Sequence, residues 1–285
     1  MQQLKRIGNS FWYMTPLSET DRPILGMVVG NEMNLMIDAG NSEAHTQLFL
    51  EKLATQDIRK PNFVVLTHWH WDHIFGMSAL KNVLSISSIE TKKEIMKLLP
   101  YMWSDEALDQ RVQEGTEIEF CASCIKKEFR EQRNIYITLP LVTFDHQIEI
   151  NLGGVTCLLK HVGGDHATDS IVVYIKEEKI LFLSDCIYPD IFSFKRNYTT
   201  KRTVELIEQL EEFDADTYIL SHWRPITKEE FLQEIQMLKT IAHFTEKCKG
   251  NAEKIRFEYR QVRNRELNEE ELETIEYFVN GYKID

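Results

Sequence analysis

The sequence predicts a layered protein of strands and helices, carrying an inserted helical segment and a helical C-terminal tail. Three observations lead there. Short apolar strands alternate with helical segments from Phe11 to Leu99. A strand meander returns after about Ile135, and charged, capped helical patterns fill the chain beyond Pro225. The chain has 285 residues, 43% of them apolar, which is enough for a large core.

The elements follow in order. Phe11 to Thr15, Ile24 to Val29 and Met33 to Ile37 read as strands, the last two joined by a turn at Asn31-Glu32. A helix is expected from Glu43 to Thr55. Phe63 to Leu66 is a short apolar strand, with a helix expected from near Gly76 and another strand over Val83 to Ile86. Ser88 caps a helix from Ile89 to Leu99. Residues 100 to 132 are charged and helix-rich; they read as an insertion over one face, a lid or a surface excursion with no catalytic part.

Gln147 to Ile150, Val155 to Leu159, Ile171 to Ile175 and Lys179 to Leu183 fit a meander, with turns at Gly153-Gly154 and Glu177-Glu178. Thr200 to Phe213 is an amphipathic helix, and Tyr218 to Leu220 a last strand. Residues 1–225 are read as the catalytic domain and 226–285 as a helical extension, packed on the core or at a dimer interface. Its helices open with the capping boxes Thr227/Glu230 and Asn268/Glu271.

Charge and cysteine usage narrow the function classes. The 33 Lys and Arg against 45 Asp and Glu give a net charge of −12, which argues against nonspecific binding to a phosphate backbone. No stretch approaches about 18 uninterrupted apolar residues, so no membrane span is expected. Five cysteines, an odd number, fit a reducing cytoplasm. Cys121 and Cys124 form a single CxxC pair without a second pair or histidine partners, and read as ordinary thiols.

The chemistry concentrates in Thr67-His68-Trp69-His70-Trp71-Asp72-His73, directly after a strand. His68 and His70 share one side because strand side chains alternate. Imidazole and carboxylate suit zinc and similar divalent ions. Four ligands in six positions are too tight for one tetrahedral ion and suit two adjacent ions completed from elsewhere. His166, Asp185 and His222 each stand at a strand end and can complete them. His161 competes with His166, while Asp165 and Asp169 read as supporting groups. Trp69 and Trp71 alternate with the ligands and are expected to pack the loop; the other reading has one of them lining an apolar cleft.

The chain closely resembles the metallo-β-lactamase-fold hydrolase superfamily, which includes glyoxalase II and lactonases. The matching elements are Met36-Ile37-Asp38-Ala39-Gly40, the HxHxDH run from His68 to His73, Gly164-Asp165-His166, Leu183-Ser184-Asp185 and Ser221-His222, in family order over residues 10 to 225. The resemblance implies an α+β fold, a four-layer αββα sandwich with two divalent metal ions at one edge. They are usually zinc, with iron or manganese in relatives. It implies that His68, His70 and His166 hold one ion, that Asp72, His73 and His222 hold the other, and that Asp185 bridges them. The implied reaction is hydrolysis of a small ester-like molecule, a lactone or thioester, by a metal-bridging hydroxide, with Asp72 also orienting the nucleophile or moving a proton.

Departures from the family pattern refine this. Asp165 and Ala167 replace the common glycine and threonine around His166. The best-known zinc β-lactamases carry a cysteine where Asp185 stands and lack a counterpart of His73, which disfavours β-lactamase activity. The acyl-homoserine lactonase branch has a tyrosine three residues after the bridging aspartate, as Tyr188 is here; the other reading packs Tyr188 under the sheet edge. Glyoxalase II needs basic carboxylate clamps, for which Arg224, Lys195 and Arg196 are available. The alternatives are a phosphodiesterase and a non-hydrolytic di-iron oxidoreductase of the same fold. A small-molecule substrate is the expected partner, and the helical tail packs either within the chain or across a homodimer.

Overall fold

A computed structural model describes residues 2–131 and 133–284. The expected end of the insertion, Gln132, lies outside the described residues. Two sheets face each other. The first holds β1 (Leu4–Ile7), β2 (Phe11–Met14), β3 (Leu25–Val29), β4 (Asn34–Ile37), β5 (Phe63–Val65), β6 (Leu84–Ser88) and β7 (Val142–Phe144), in that spatial order. The second runs in reverse from β13 (Pro225–Thr227) through β12 (Thr217–Leu220), β11 (Ile180–Ser184), β10 (Ile171–Ile175) and β9 (Thr156–His161) to β8 (Gln147–Asn151).

Side-chain alternation assigns the faces. In β4, Leu35 and Ile37 point between the sheets and Met36 points outward; in β11, Ile180 and Phe182 point inward and Leu181 and Leu183 outward. The central core therefore joins both sheets through residues such as Phe11, Val65, Val173 and Phe182. Both faces of these strands are apolar because helices cover the outer ones.

The outer face of the first sheet is covered by α1 (Glu43–Ala54), the short α2 (Trp71–Ile74), a 3-10 segment over Phe75–Leu80, and α3 (Ile89–Lys97). The inserted helices are α4 (Asp105–Glu114) and α5 (Glu119–Phe129). Leu108, Cys121, Cys124 and Ile125 bury their apolar sides in that layer. An Arg22–Glu128 ion pair at 2.7 Å ties α5 to the body of the domain. Cys121 and Cys124 are free thiols, and burial pushes the Cys124 thiol up to about 11.

The outer face of the second sheet carries α6 (Thr200–Glu211) and the tail helices α7 (Lys228–Lys247), α8 (Ala252–Arg263) and α9 (Glu269–Gly281). Phe231, Ile235, Ile255, Ile275 and Phe278 join Leu181, Leu206 and Tyr218 in one core. Both expected capping boxes form, at Thr227/Glu230 and Asn268/Glu271. Among the described residues no helix is long and apolar enough to cross a membrane.

Several elements differ from expectation. β1 reads Leu-Lys-Arg-Ile and lacks an apolar alternation, so only its pairing with β2 reveals it. β13 begins with Pro225, which an edge strand tolerates because its nitrogen owes no ladder bond. The helix expected near Gly76 is instead α2 followed by the 3-10 segment. Residue 76 sits against other backbone: a Cβ there would lie 2.0 Å from the Ala39 carbonyl oxygen.

Candidate metal centre

Four chain segments converge at one edge of the sandwich. The β5–α2 loop brings His68 and His70, and α2 directly behind it brings Asp72 and His73. The loop between β9 and β10 brings His166, the end of β11 brings Asp185, and the end of β12 brings His222. Gly164 shapes the second of these: its φ is +124°, and a Cβ would stand 2.6 Å from the Cys186 carbonyl oxygen. Ser184, just before Asp185, has φ +53° and sits at a register shift between β11 and β12.

The side chains fall into two groups. His68, His70 and His166 form one, and Asp72, His73, Asp185 and His222 the other; within each, the ligand atoms lie within 4.8 Å of one another. Asp185 Oδ2 faces both. It lies 3.9 Å from His68 Nε2 and 3.4 Å from His166 Nε2, and 3.3 Å from His73 Nε2 and 3.2 Å from His222 Nε2. All seven sequence-selected ligands are thus brought together. His161 is not: its Nε2 meets the Thr168 carbonyl oxygen at 2.9 Å. Asp165 accepts hydrogen bonds from the Thr199 backbone and from the hydroxyls of Thr199 and Thr203, which ties its loop to α6.

The donor set fits divalent cations. His70 Nε2, His166 Nε2 and Asp185 Oδ1 are buried and make no hydrogen bond among the described residues. Buried polar atoms left unpaired are costly, and a cation bound between them removes that cost. Burial lowers the pKa of His68 and His70 well below the usual imidazole range, keeping them neutral and able to donate a lone pair. Burial also works against charge on His73 and His222, yet the carboxylates around them raise both well above that range. In the absence of cations, the second group therefore behaves as ion pairs.

Supporting contacts orient the rings. His73 Nδ1–H donates to Asp38 Oδ2 at 2.8 Å, which leaves Nε2 facing Asp72 and Asp185. Asp38 also accepts from the Thr67 backbone and hydroxyl at 2.8 and 2.9 Å. His166 Nδ1–H donates to the Pro189 carbonyl oxygen at 3.1 Å, and His222 Nδ1 lies 3.2 Å from Asp21 Oδ1. The Met36–Gly40 motif gives Asp38 no role of its own, and nothing in the sequence singles out Asp21. No local pattern links Asp21 to a histidine 201 positions later; only its φ of +55°, which Asp tolerates better than most residues, marks it as special.

Tyr188 lies between the groups, its ring centroid 6.1 Å from His166 and 6.4 Å from His222, and it also packs on the outer core. Burial and nearby Asp185 push its phenol above the usual range, so it remains protonated. Trp71 is buried in the outer layer, as loop packing requires, whereas Trp69 lies beside the site against His70 and Phe192 at 4.8 and 5.6 Å. Arg224, considered as a carboxylate clamp, is paired with Glu230 at 2.6 Å.

Comparison with known proteins agrees with this geometry. A linear primary-alkylsulfatase of Pseudomonas sp. (strain ATCC 19151) is 20% identical over 236 residues, covering 73% of this chain and 43% of its own. A metallo-beta-lactamase type 2 of Bacteroides fragilis is 23% identical over 169 residues, covering 59% of this chain and 53% of its own. The chain thus spans about half the length of these relatives. The solved metallo-beta-lactamase from Pontibacter korlensis shares the fold with a TM-score of 0.59 at 20% identity, covering 84% of this chain and 99% of that one. The family profile of the metallo-beta-lactamase superfamily matches residues 23–222, a span that runs through every ligand to His222, and the chain belongs to that superfamily.

Proposed function

We propose that the protein is a metal-dependent hydrolase of small ester-like molecules, lactones or thioesters, using two divalent ions, zinc in the first instance. The observation that carries the reading is the position of Asp185 Oδ2 between the His68/His166 and His73/His222 nitrogens, as a bridging ligand requires. His68, His70 and His166 would hold one ion, Asp72, His73 and His222 the other. Two such cations supply Lewis acidity and an activated water at neutral pH.

The chain's own residues supply the rest. Asp72 Oδ2, 3.1 Å from both His73 Nε2 and His222 Nε2, is placed to hold a proton released during attack. The protonated Tyr188 phenol is a hydrogen-bond donor for the substrate's carbonyl or leaving oxygen. The outer carboxylates Asp38 and Asp21 keep His73 and His222 in the ligating orientation. Five free cysteines support a reducing, cytoplasmic setting.

The test joins metal analysis to a substrate screen. Protein purified without chelators should carry two zinc ions per chain and no chromophore. It should hydrolyse at least one of a panel of lactones, thioesters, β-lactams, phosphodiesters and alkyl sulfates, the last included because of the Pseudomonas relative's name. Asp185→Asn should lose the activity. Bound iron with a visible chromophore, or full turnover by Asp185→Asn, would refute the reading.

A further inference from the structure

A narrow cavity of about 90 Å³ lies beside the ligand loop, lined by residues that alternate with or pack against the ligands rather than by the ligands themselves. Its walls are Trp69 and Trp71 from the ligand loop, Leu98, Tyr101 and Trp103 from the chain after α3, and Phe192 from the chain after β11. Phe192 makes the connection with the metal centre: its ring lies 4.9 Å from that of His70 and 5.6 Å from that of Trp69. Resting on the hydrolase reading, we propose that this slot receives the apolar acyl or alkyl chain of the substrate and sets the chain length the enzyme prefers.

Aromatic walls with carboxylates nearby also suit an organic cation. The charges here decide against one. Glu94 is paired with Lys97 at 2.6 Å. Burial raises the pKa of Glu117, which favours its neutral form, and its Oε1 accepts the Ile118 N–H at 3.1 Å. The Arg111 guanidinium already lies 4.7 Å from the Tyr101 ring and 4.9 Å from the Trp103 ring, and it would repel a second cation. Arg111 itself does not line the slot; the walls that do are mostly aromatic and aliphatic, and a hydrocarbon chain is the occupant that suits them.

Binding can be read without turnover, because three of the five tryptophans line the slot. The full chain is titrated with 6-bromohexan-1-ol, whose bromine quenches tryptophan emission, and in parallel with (2-bromoethyl)trimethylammonium. Saturable quenching by the alcohol, weakened at least fivefold in Thr116→Phe, is expected; Thr116 is an exposed residue of the wall, so the added ring fills the slot without disturbing the core. Tighter binding of the ammonium probe, or equal binding of the alcohol to the variant, would overturn the proposal.

With metal-loaded protein, kcat/KM along an acetyl-to-octanoyl thioester series should rise about fourfold per methylene and then level off, from about 0.8 kcal/mol per buried CH2. Tyr101→Ala should move the plateau to longer chains and Thr116→Phe to shorter ones. A flat profile would overturn the proposal. Turnover of no ester at all, with the alcohol still bound and displaced by Thr116→Phe, would count for the slot and against the hydrolytic reading.

Discussion

Asp38→Asn is the sharpest probe of how the second ligand group is held. Asp38 is fully buried, and its two oxygens serve three donors. Oδ1 takes the Thr67 N–H at 2.8 Å; Oδ2 takes the Thr67 hydroxyl at 2.9 Å and His73 Nδ1–H at 2.8 Å. Its φ of +61° is one that asparagine also tolerates, so backbone strain does not enter. An amide offers one carbonyl oxygen and an NH2. If the oxygen keeps the Thr67 N–H, the NH2 faces His73 Nδ1, and the ring must present Nδ1 as acceptor and carry its proton on Nε2. That proton points at Asp72 and Asp185, 3.1 and 3.3 Å away, where a ligating lone pair is needed. The expected cost is about 10- to 100-fold in affinity for one metal equivalent, or roughly 1.4 to 2.8 kcal/mol. The ion held by His68, His70 and His166 should keep nearly its full affinity. Competition of the metal-loaded protein against a chromophoric chelator resolves the two equivalents. Two equivalents of undiminished affinity would refute the outer-carboxylate argument, and loss of both together would refute the division into two groups.

Three further outcomes are expected. Gly164→Ala forces a side chain into φ +124° and places its Cβ 2.6 Å from the Cys186 carbonyl oxygen, so thermal unfolding should show a loss of about 2 to 4 kcal/mol; a Tm unchanged within a degree would count against the close approach. Asp72→Ala should lower turnover by at least about 100-fold even in metal-loaded protein that is folded at the assay temperature, with the unfolding midpoint followed alongside because the variant also loses the Asp72 contacts 3.1 Å from His73 and His222 Nε2; wild-type turnover in the metal-loaded variant would sink its role. Glu234 on α7 has its carboxyl pushed up to about 7 by burial and then by Glu270, so the folded state holds that proton more tightly than the unfolded chain. Stability should therefore fall as pH rises from about 4.5 to about 7, by at most about 3 kcal/mol, and Glu234→Gln should flatten that part of the profile in denaturant titrations at several pH values.

Legibility in the sequence followed the range of the interactions. His68, His70, Asp72 and His73 could be found because a strand end and a short turn place neighbours in sequence on one centre. Asp185 and His222 could be found because each follows an apolar strand, and His166 because it stands in the short loop just beyond β9; strand ends are where this architecture opens. The sheet faces were legible through alternation, and the tail helices through their caps. What failed to show was everything whose meaning lies in a partner far along the chain. β1 and β13 are strands only by virtue of β2 and β12. Asp21 is an unremarkable turn residue until His222 arrives beside it, and Phe192 is an ordinary loop aromatic until it meets Trp69 and His70. The same distinction separates reaction class from substrate. The bond chemistry is carried by ligands that local patterns announce, so it is readable before the fold is known. On the proposed reading, selectivity would be carried by walls drawn from the ligand loop, the insertion and the chain after β11, three segments whose juxtaposition only the folded sandwich creates. Substitutions in those walls should accordingly change which ester is hydrolysed while leaving the metal count untouched.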